Sequence, residues 1–170
     1  RAVNEPTDMS DADGSSLSDA EVRDALPEDL DARGLVGPAN ASEFTTLSDD
    51  ERRRWLEIVV SEAGGKIPVV ASVTAGHSRL ALALAEHAQQ VGADGIMAMP
   101  PHILHPDADG CYSYYQALSA ALNLPICVQN FSGPVGTPMA PGLLAKMCVE
   151  LERVEYIKEE TVPEPQRVSQ

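Results

Sequence analysis

From Gly34 onward the chain repeats one unit: a short apolar run without alternation, a polar loop, then an amphipathic helix. This repeat narrows the possible folds more than any other feature. Ile67-Pro68-Val69-Val70-Ala71-Ser72-Val73 shows its strand half best. A run that is apolar at successive positions suits a parallel strand covered on both faces. Similar runs over 34–39, 95–99, 125–129 and 154–158 give five predicted strands. The intervening helices are predicted over 48–63, 78–91, from Asp107 or Asp109 to about Leu122, and over 141–151. Their boundaries carry local signals. Ser48 with Glu51 forms a capping box, in which each side chain satisfies a backbone donor of the other residue. Gly64-Gly65 and Gly92 suit helix ends, Pro100-Pro101 stops a strand, and Pro141 suits a first helical turn. Within the first helix Trp55, Ile58, Val59 and Glu62 fall at helical spacing, which leaves Arg52, Arg53 and Arg54 largely outside.

Strands that alternate with helices form a parallel sheet, so the fold class is α/β. The crossovers are right-handed, so the units wind one way, as in a barrel or a doubly wound sheet. Residues 1–33 differ in character, being acidic and poor in large apolar groups. They read as a loosely packed leader with a short helix over 19–26, set before a domain over 34–170.

A net charge of -14 excludes the clustered cations that neutralise phosphates or hold a protein to an anionic membrane, so no nucleic acid and no membrane is expected. The sequence has no apolar run of the ~18 residues a membrane-spanning helix requires. The opening Arg1-Ala2-Val3-Asn4-Glu5-Pro6 lacks a signal-peptide core, and Cys111, Cys127 and Cys148 share no CxxC spacing. These features lead to the expectation of a cytoplasmic protein with reduced, buried thiols.

Polar residues collect at the carboxyl ends of the strands: Asn40, Ser42 and Glu43, then Thr74, His102, Gln129 and Asn130, and finally Lys158, Glu159 and Glu160. Barrels and open α/β sheets alike place their sites at that end. Lys158 has two readings. Partial desolvation at the end of an apolar strand would free its amine to attack a carbonyl. It could equally be an ordinary strand-end lysine paired with Glu155, Glu159 or Glu160.

The other groups carry less chemistry. His102 and His105 follow two prolines and have no third ligand at suitable spacing, so no metal site is expected. His77 and His87 read as loop or helix-surface residues. Asp11-Ala12-Asp13-Gly14 and Asp107-Ala108-Asp109-Gly110 begin like calcium loops, but the outer ligand positions hold Met9 and Ala20, or His105 and Gln116. Turn and cap chemistry explains these aspartates better. Tyr112, Tyr114, Tyr115 and Leu118 form an apolar stripe suited to core or subunit contact. Gly133-Pro134-Val135-Gly136 is too sparse for a phosphate loop.

Five segments taken in order carry a family resemblance. They are Asn40-Ala41-Ser42-Glu43 with the capped helix after it, Ile67 to Val73, Gly92-Ala93-Asp94-Gly95-Ile96-Met97-Ala98-Met99-Pro100-Pro101, Leu124-Pro125-Ile126-Cys127-Val128-Gln129-Asn130, and Tyr156-Ile157-Lys158-Glu159. Together, between Gly37 and Ser169, they resemble the dihydrodipicolinate synthase and N-acetylneuraminate lyase family. The resemblance implies a (β/α)8 TIM barrel in which Lys158 forms an imine with a small-molecule 2-oxo acid. The imine is itself the electron sink, so it implies no metal and no organic cofactor. It further implies that Asn40, Ala41, Ser42 and Asn130 bind substrate, and that the protein is a homo-oligomer, a dimer or tetramer.

This sequence departs from the family pattern at three places. Gln129 stands where the family has its catalytic tyrosine, Pro134 where an arginine often follows, and Asn40-Ala41 where a Thr-Thr pair holds the keto-acid carboxylate. Asn40, Ser42, Glu43, Gln129 and Lys158 to Thr161 are closer to the 2-keto-3-deoxy-sugar-acid dehydratases, such as those acting on 2-keto-3-deoxy-L-arabonate. Dehydration, with Gln129 orienting a hydroxyl or water, is therefore the expected reaction. Aldol condensation or cleavage of the synthase and lyase kind is the alternative. A complete barrel takes eight strands and about 250 residues. Five units imply an incomplete barrel with bare strand edges, and so a further alternative: a catalytically inactive fragment that serves as an assembly partner.

Overall fold

A computed structural model of the chain describes residues 33–162. The expected helix over 19–26, the rest of the acidic leader and residues 163–170 lie outside the described residues. Five strands and four α-helices alternate: β1 (Leu35–Gly37), α1 (Asp49–Ala63), β2 (Val69–Ser72), α2 (Ser78–Val91), β3 (Gly95–Ala98), α3 (Ala108–Ala121), β4 (Ile126–Phe131), α4 (Pro141–Glu150) and β5 (Val154–Glu160). Two single turns of 3₁₀ helix, Asn40–Ser42 and Phe44–Thr46, link β1 to α1.

The strands are all parallel and follow sequence order, β1-β2-β3-β4-β5. A doubly wound sheet reverses its order partway across. An unreversed order with right-handed crossovers puts every helix on one face, which is barrel winding. The helix face holds the core. Val69, Ala71, Ile96, Ala98, Ile126, Val128 and Val154 are buried there with Leu56 and Val59 of α1, Leu84 and Ala85 of α2, Tyr115 and Leu118 of α3, and Leu144 and Met147 of α4. The other face lines an open groove of about 1180 Å³, floored by Val36, Val70, Met97, Cys127 and Tyr156. Cover on both faces, expected for the 67–73 run, is thus only partial: Val69 and Ala71 are buried, whereas Val70 on the groove side is half-buried.

Several boundaries follow the local chemistry read from the sequence. Ser48 and Glu51 make the reciprocal capping bonds at 3.2 and 2.7 Å. Asp107, rather than Asp109, caps α3 by accepting from Gly110 N at 2.8 Å. Pro141 opens α4, and Gly92 ends α2 at φ 91, a conformation that costs glycine little. Gly37 is required for contact, since a Cβ there would lie 2.6 Å from the Trp55 ring.

Four expectations need correction here. Arg52 is not outside but 6% exposed. It lies one and two turns before Leu56 and Val59, its Nη2 donates to Ser72 O at 3.0 Å, and its guanidinium sits over the Phe44 ring at 5.3 Å. Glu62, by contrast, is exposed, because the inward stripe of α1 passes through Ala63. The thiols are not uniformly buried: Cys111 is, Cys127 is half-buried and Cys148 is exposed. The tyrosine stripe divides, with Tyr114 and Tyr115 in the core and Tyr112 at the surface, where it donates to Glu150 at 2.9 Å.

The pairing of β4 with β5 contains one irregularity. Ile126 pairs with Val154, but the next residue, Cys127, pairs with Tyr156, so Glu155 is a surplus residue that bulges from the ladder. Beyond it the register is regular, and Gln129 lies opposite Lys158.

Candidate active site

Strand alternation decides which of the carboxyl-end polar residues reach the groove. On β4, Cys127, Gln129 and Phe131 share the groove face, whereas Ile126, Val128 and Asn130 face the helices. On β5, Tyr156, Lys158 and Glu160 share the groove face with their register partners Cys127, Gln129 and Phe131. Across the groove, the segment after β1 contributes Asn40, Ala41, Ser42, Glu43, Thr45 and Thr46, so the curl of the sheet brings its first and last strands to one cavity. Glu43, between the two 3₁₀ turns, adopts a left-handed conformation at φ 49, uncommon for a residue with a side chain.

Lys158 projects into this groove from the edge strand. Its side chain is 47% exposed, so the five described strands do not bury the amine, and Nζ lies 2.9 Å from Glu160 Oε1. Of the three glutamates that could pair with the lysine, Glu160 is the one that does. Gln129 beside it is 1% exposed, and its Nε2 donates to Glu160 Oε2 at 2.6 Å. One carboxylate therefore spans amine and amide with one oxygen each. Gln129 Oε1 is buried and makes no hydrogen bond among the described residues. Burial pushes the Cys127 thiol up, opposed by the nearby Lys158.

Asn130 is not brought to the groove. It faces the helices, fully buried; its Oδ1 accepts from Met139 N at 2.7 Å, and its Nδ2 donates to Met139 O at 3.1 Å and to Glu159 Oε2 at 2.9 Å. This pins the loop after β4. Glu159 also accepts from Thr161 N at 2.8 Å and from the Thr161 hydroxyl. Thr74 is likewise structural, its Oγ1 accepting from Met99 N at 3.0 Å. His102 packs edge-on against Phe44 with ring centroids 5.5 Å apart. His105 Nδ1 lies 2.8 Å from Thr137 Oγ1, and His77 caps α2 by accepting from Arg79 N at 3.1 Å.

The apolar run predicts a last strand ending at Lys158, with no separate role for Glu160, whereas β5 continues to Glu160. The available signal was alternation: two residues past the lysine is the same face.

A singly wound α/β sheet whose last strand carries a lysine into a groove at the carboxyl ends is part of a β/α barrel. A relative from Methanopyrus kandleri, a 4-hydroxy-tetrahydrodipicolinate synthase, is 32% identical over 149 residues, 86% of this chain and 50% of its own length. The crystal structure of dihydrodipicolinate synthase from Aquifex aeolicus superposes with a TM-score of 0.76 at 27% identity, over 82% of this chain and 47% of that one. A prophage protein of the dihydrodipicolinic acid synthase family from E. coli K12, solved in complex with pyruvate, matches in fold with a TM-score of 0.81 at 23% identity, over 93% and 53% of the two chains. Residues 28–166 match the dihydrodipicolinate synthetase family, and the chain belongs to it. It spans about half the length of these relatives.

Proposed function

We propose that this chain carries the imine-forming lysine of a lyase that acts on pyruvate or a related 2-oxo acid by aldol-type condensation or cleavage. The observation that carries the reading is the placement of Lys158: on the groove face, opposite Gln129, in a cavity that also holds Asn40 and Ser42. In this reading the amine attacks the C2 carbonyl, and loss of water leaves a protonated imine that draws electrons from the neighbouring carbon. Lys158 is the sole cation lining the groove among the described residues. The substrate carboxylate therefore falls to neutral donors, the Asn40 amide and the hydroxyls of Ser42 and Thr45. Ala41 supplies only backbone. Asn130 has no part in binding.

The names of the relatives favour this synthase and lyase chemistry over the sugar-acid dehydration suggested by the sequence. Dehydration is kept as the second reading, because Gln129 cannot relay a proton as the family's tyrosine would. The acting species is a cytoplasmic homo-oligomer in which partner chains cover β1 and β5, the edges of the described sheet.

Borohydride tests the reading. Incubation with pyruvate and then reduction should leave a stable secondary amine on Lys158, found by peptide mass mapping. Lys66 and Lys146, both exposed, are the other two lysines of the sequence and serve as internal controls. No adduct on Lys158, or equal labelling of all three lysines, removes the imine reading and leaves the inactive assembly partner in its place.

A further inference from the structure

A lysine nucleophile must shed a proton before it attacks, and the intermediate must then lose its oxygen as water. Both steps need a proton carrier within hydrogen-bond reach. Gln129, on the groove side of β4, is buried and carries an amide, which does not titrate. Glu160 stands beside it. The carboxylate is 2.9 Å from Lys158 Nζ through Oε1 and receives Gln129 Nε2 at 2.6 Å through Oε2. It is one-third exposed, faces the same cavity as the amine, and is held by a side chain that is itself buried. The other ionisable groups on the groove lining are Glu43 on the loop after β1, Cys127 on β4 and Tyr156 on β5.

We propose that Glu160 is the proton acceptor and donor of the lysine site, with Gln129 as the positioning residue that fixes its carboxylate. The proposal rests on the imine reading of Lys158. The ammonium of Lys158 gives a proton to Glu160 Oε1, which leaves a neutral amine and a carboxylic acid. The amine lone pair forms the N–C2 bond as the C2–O π bond opens, and the oxygen takes up one of the two protons still on that nitrogen. Glu160 protonates the departing hydroxyl, the C2–O bond breaks with release of water, and the nitrogen lone pair closes the C=N bond. The carboxylate is regenerated, and no oxidant, reductant or cofactor enters the balance. Pinning one oxygen on Gln129 leaves the other directed at the amine, so the carboxylate need not reorient between the two transfers.

The test compares wild type with E160Q, E160D and E160A. The rate of Lys158 adduct formation with pyruvate under borohydride is followed by mass spectrometry from pH 6 to 9, and folding is checked by circular dichroism. A glutamine keeps the size and hydrogen bonds of the residue but cannot carry a proton. E160Q should therefore slow adduct formation about 100-fold near neutral pH, in line with general acid–base contributions, and the rate should climb steeply with pH. E160D should fall between the two. Added formate should restore part of the E160A rate, a rescue that a folding defect would not give. Equal rates and pH profiles for wild type and E160Q, or an E160A rate indifferent to formate, overturn the role of Glu160 while leaving the imine intact. Absence of the adduct in wild type instead overturns the underlying reading, and the role of Glu160 with it.

Discussion

Replacing Asn130 by alanine separates a structural side chain from a substrate ligand. Asn130 makes three hydrogen bonds: it accepts from Met139 N at 2.7 Å and donates to Met139 O at 3.1 Å and to the Glu159 carboxylate at 2.9 Å. The first two are neutral bonds in a buried setting, each contributing about 1 kcal/mol net, and the third is charge-assisted at about 2 kcal/mol. N130A should therefore lose about 4 kcal/mol, a large part of the ~5–15 kcal/mol typical of a domain. Urea unfolding followed by the fluorescence of Trp55, the single tryptophan, measures this directly. The midpoint should fall with little change in slope, since the surface exposed on unfolding is nearly the same. A loss below 1 kcal/mol would refute the clamp. So would a normally stable variant that no longer forms the pyruvate adduct, because that pattern belongs to a residue that binds substrate.

Two further outcomes follow from ionisable groups. His102 is held below the ordinary imidazole range, chiefly by burial and then by Arg52 and His105. With the folded value depressed, the unfolded chain binds the proton first. Its contribution to stability is complete above the unfolded pKa near ~6.5 and is lost as pH falls toward the folded value. H102Q should flatten the loss of stability between pH 7 and 5, and an unchanged slope would refute this. For the thiols, burial pushes Cys111 up to about 11, assisted by Asp107, and also raises Cys127 and Cys148, but of the three Cys148 alone is exposed, on α4. A disulfide reagent at pH 8 should modify one thiol quickly in the folded protein and three in denaturant. A second fast thiol would contradict that order.

What was legible in the sequence was mostly local. The Ser48–Glu51 box, Pro141 and Gly92 act within one turn of themselves, so neighbouring residues suffice to read them, whereas the start of α3 stays open in the sequence between Asp107 and Asp109. Repetition gives the parallel α/β class and leaves barrel and doubly wound sheet open; the family resemblance points to the barrel, which the strand order bears out. Arg52 escaped because helical spacing alone sends an arginine to solvent, whereas its partners, Ser72 O and the Phe44 ring, come from other elements. Gln129 and Asn130 were read as a pair facing substrate, though adjacent strand residues face opposite ways. The strand end was placed two residues early because glutamates favour strands weakly, and Glu160 is held by Lys158 and Gln129 rather than by propensity. The loop opposite the lysine is legible only through the family resemblance, which sets Asn40, Ala41 and Ser42 with Lys158; composition and spacing do not show it, because it depends on the curl of the whole sheet.

The surplus residue in β5 can be treated as a parity bit. Val154 and Lys158 are separated by an even number of positions, so an unbroken strand would show both to the same side. Here one is buried among the helices and the other opens on the groove, and Glu155 supplies the inversion. Length, rather than side-chain chemistry, therefore governs whether the amine is presented. Deleting Glu155 should leave a regular ladder with Val154 and Lys158 still on opposite sides, and the pyruvate adduct should survive. Deleting Ile157, which lies within the ladder, should turn Lys158 toward the helices and abolish the adduct, although Lys158, Gln129 and Glu160 all remain in the chain. A site of this kind is more exposed to single-residue insertions and deletions than to most substitutions.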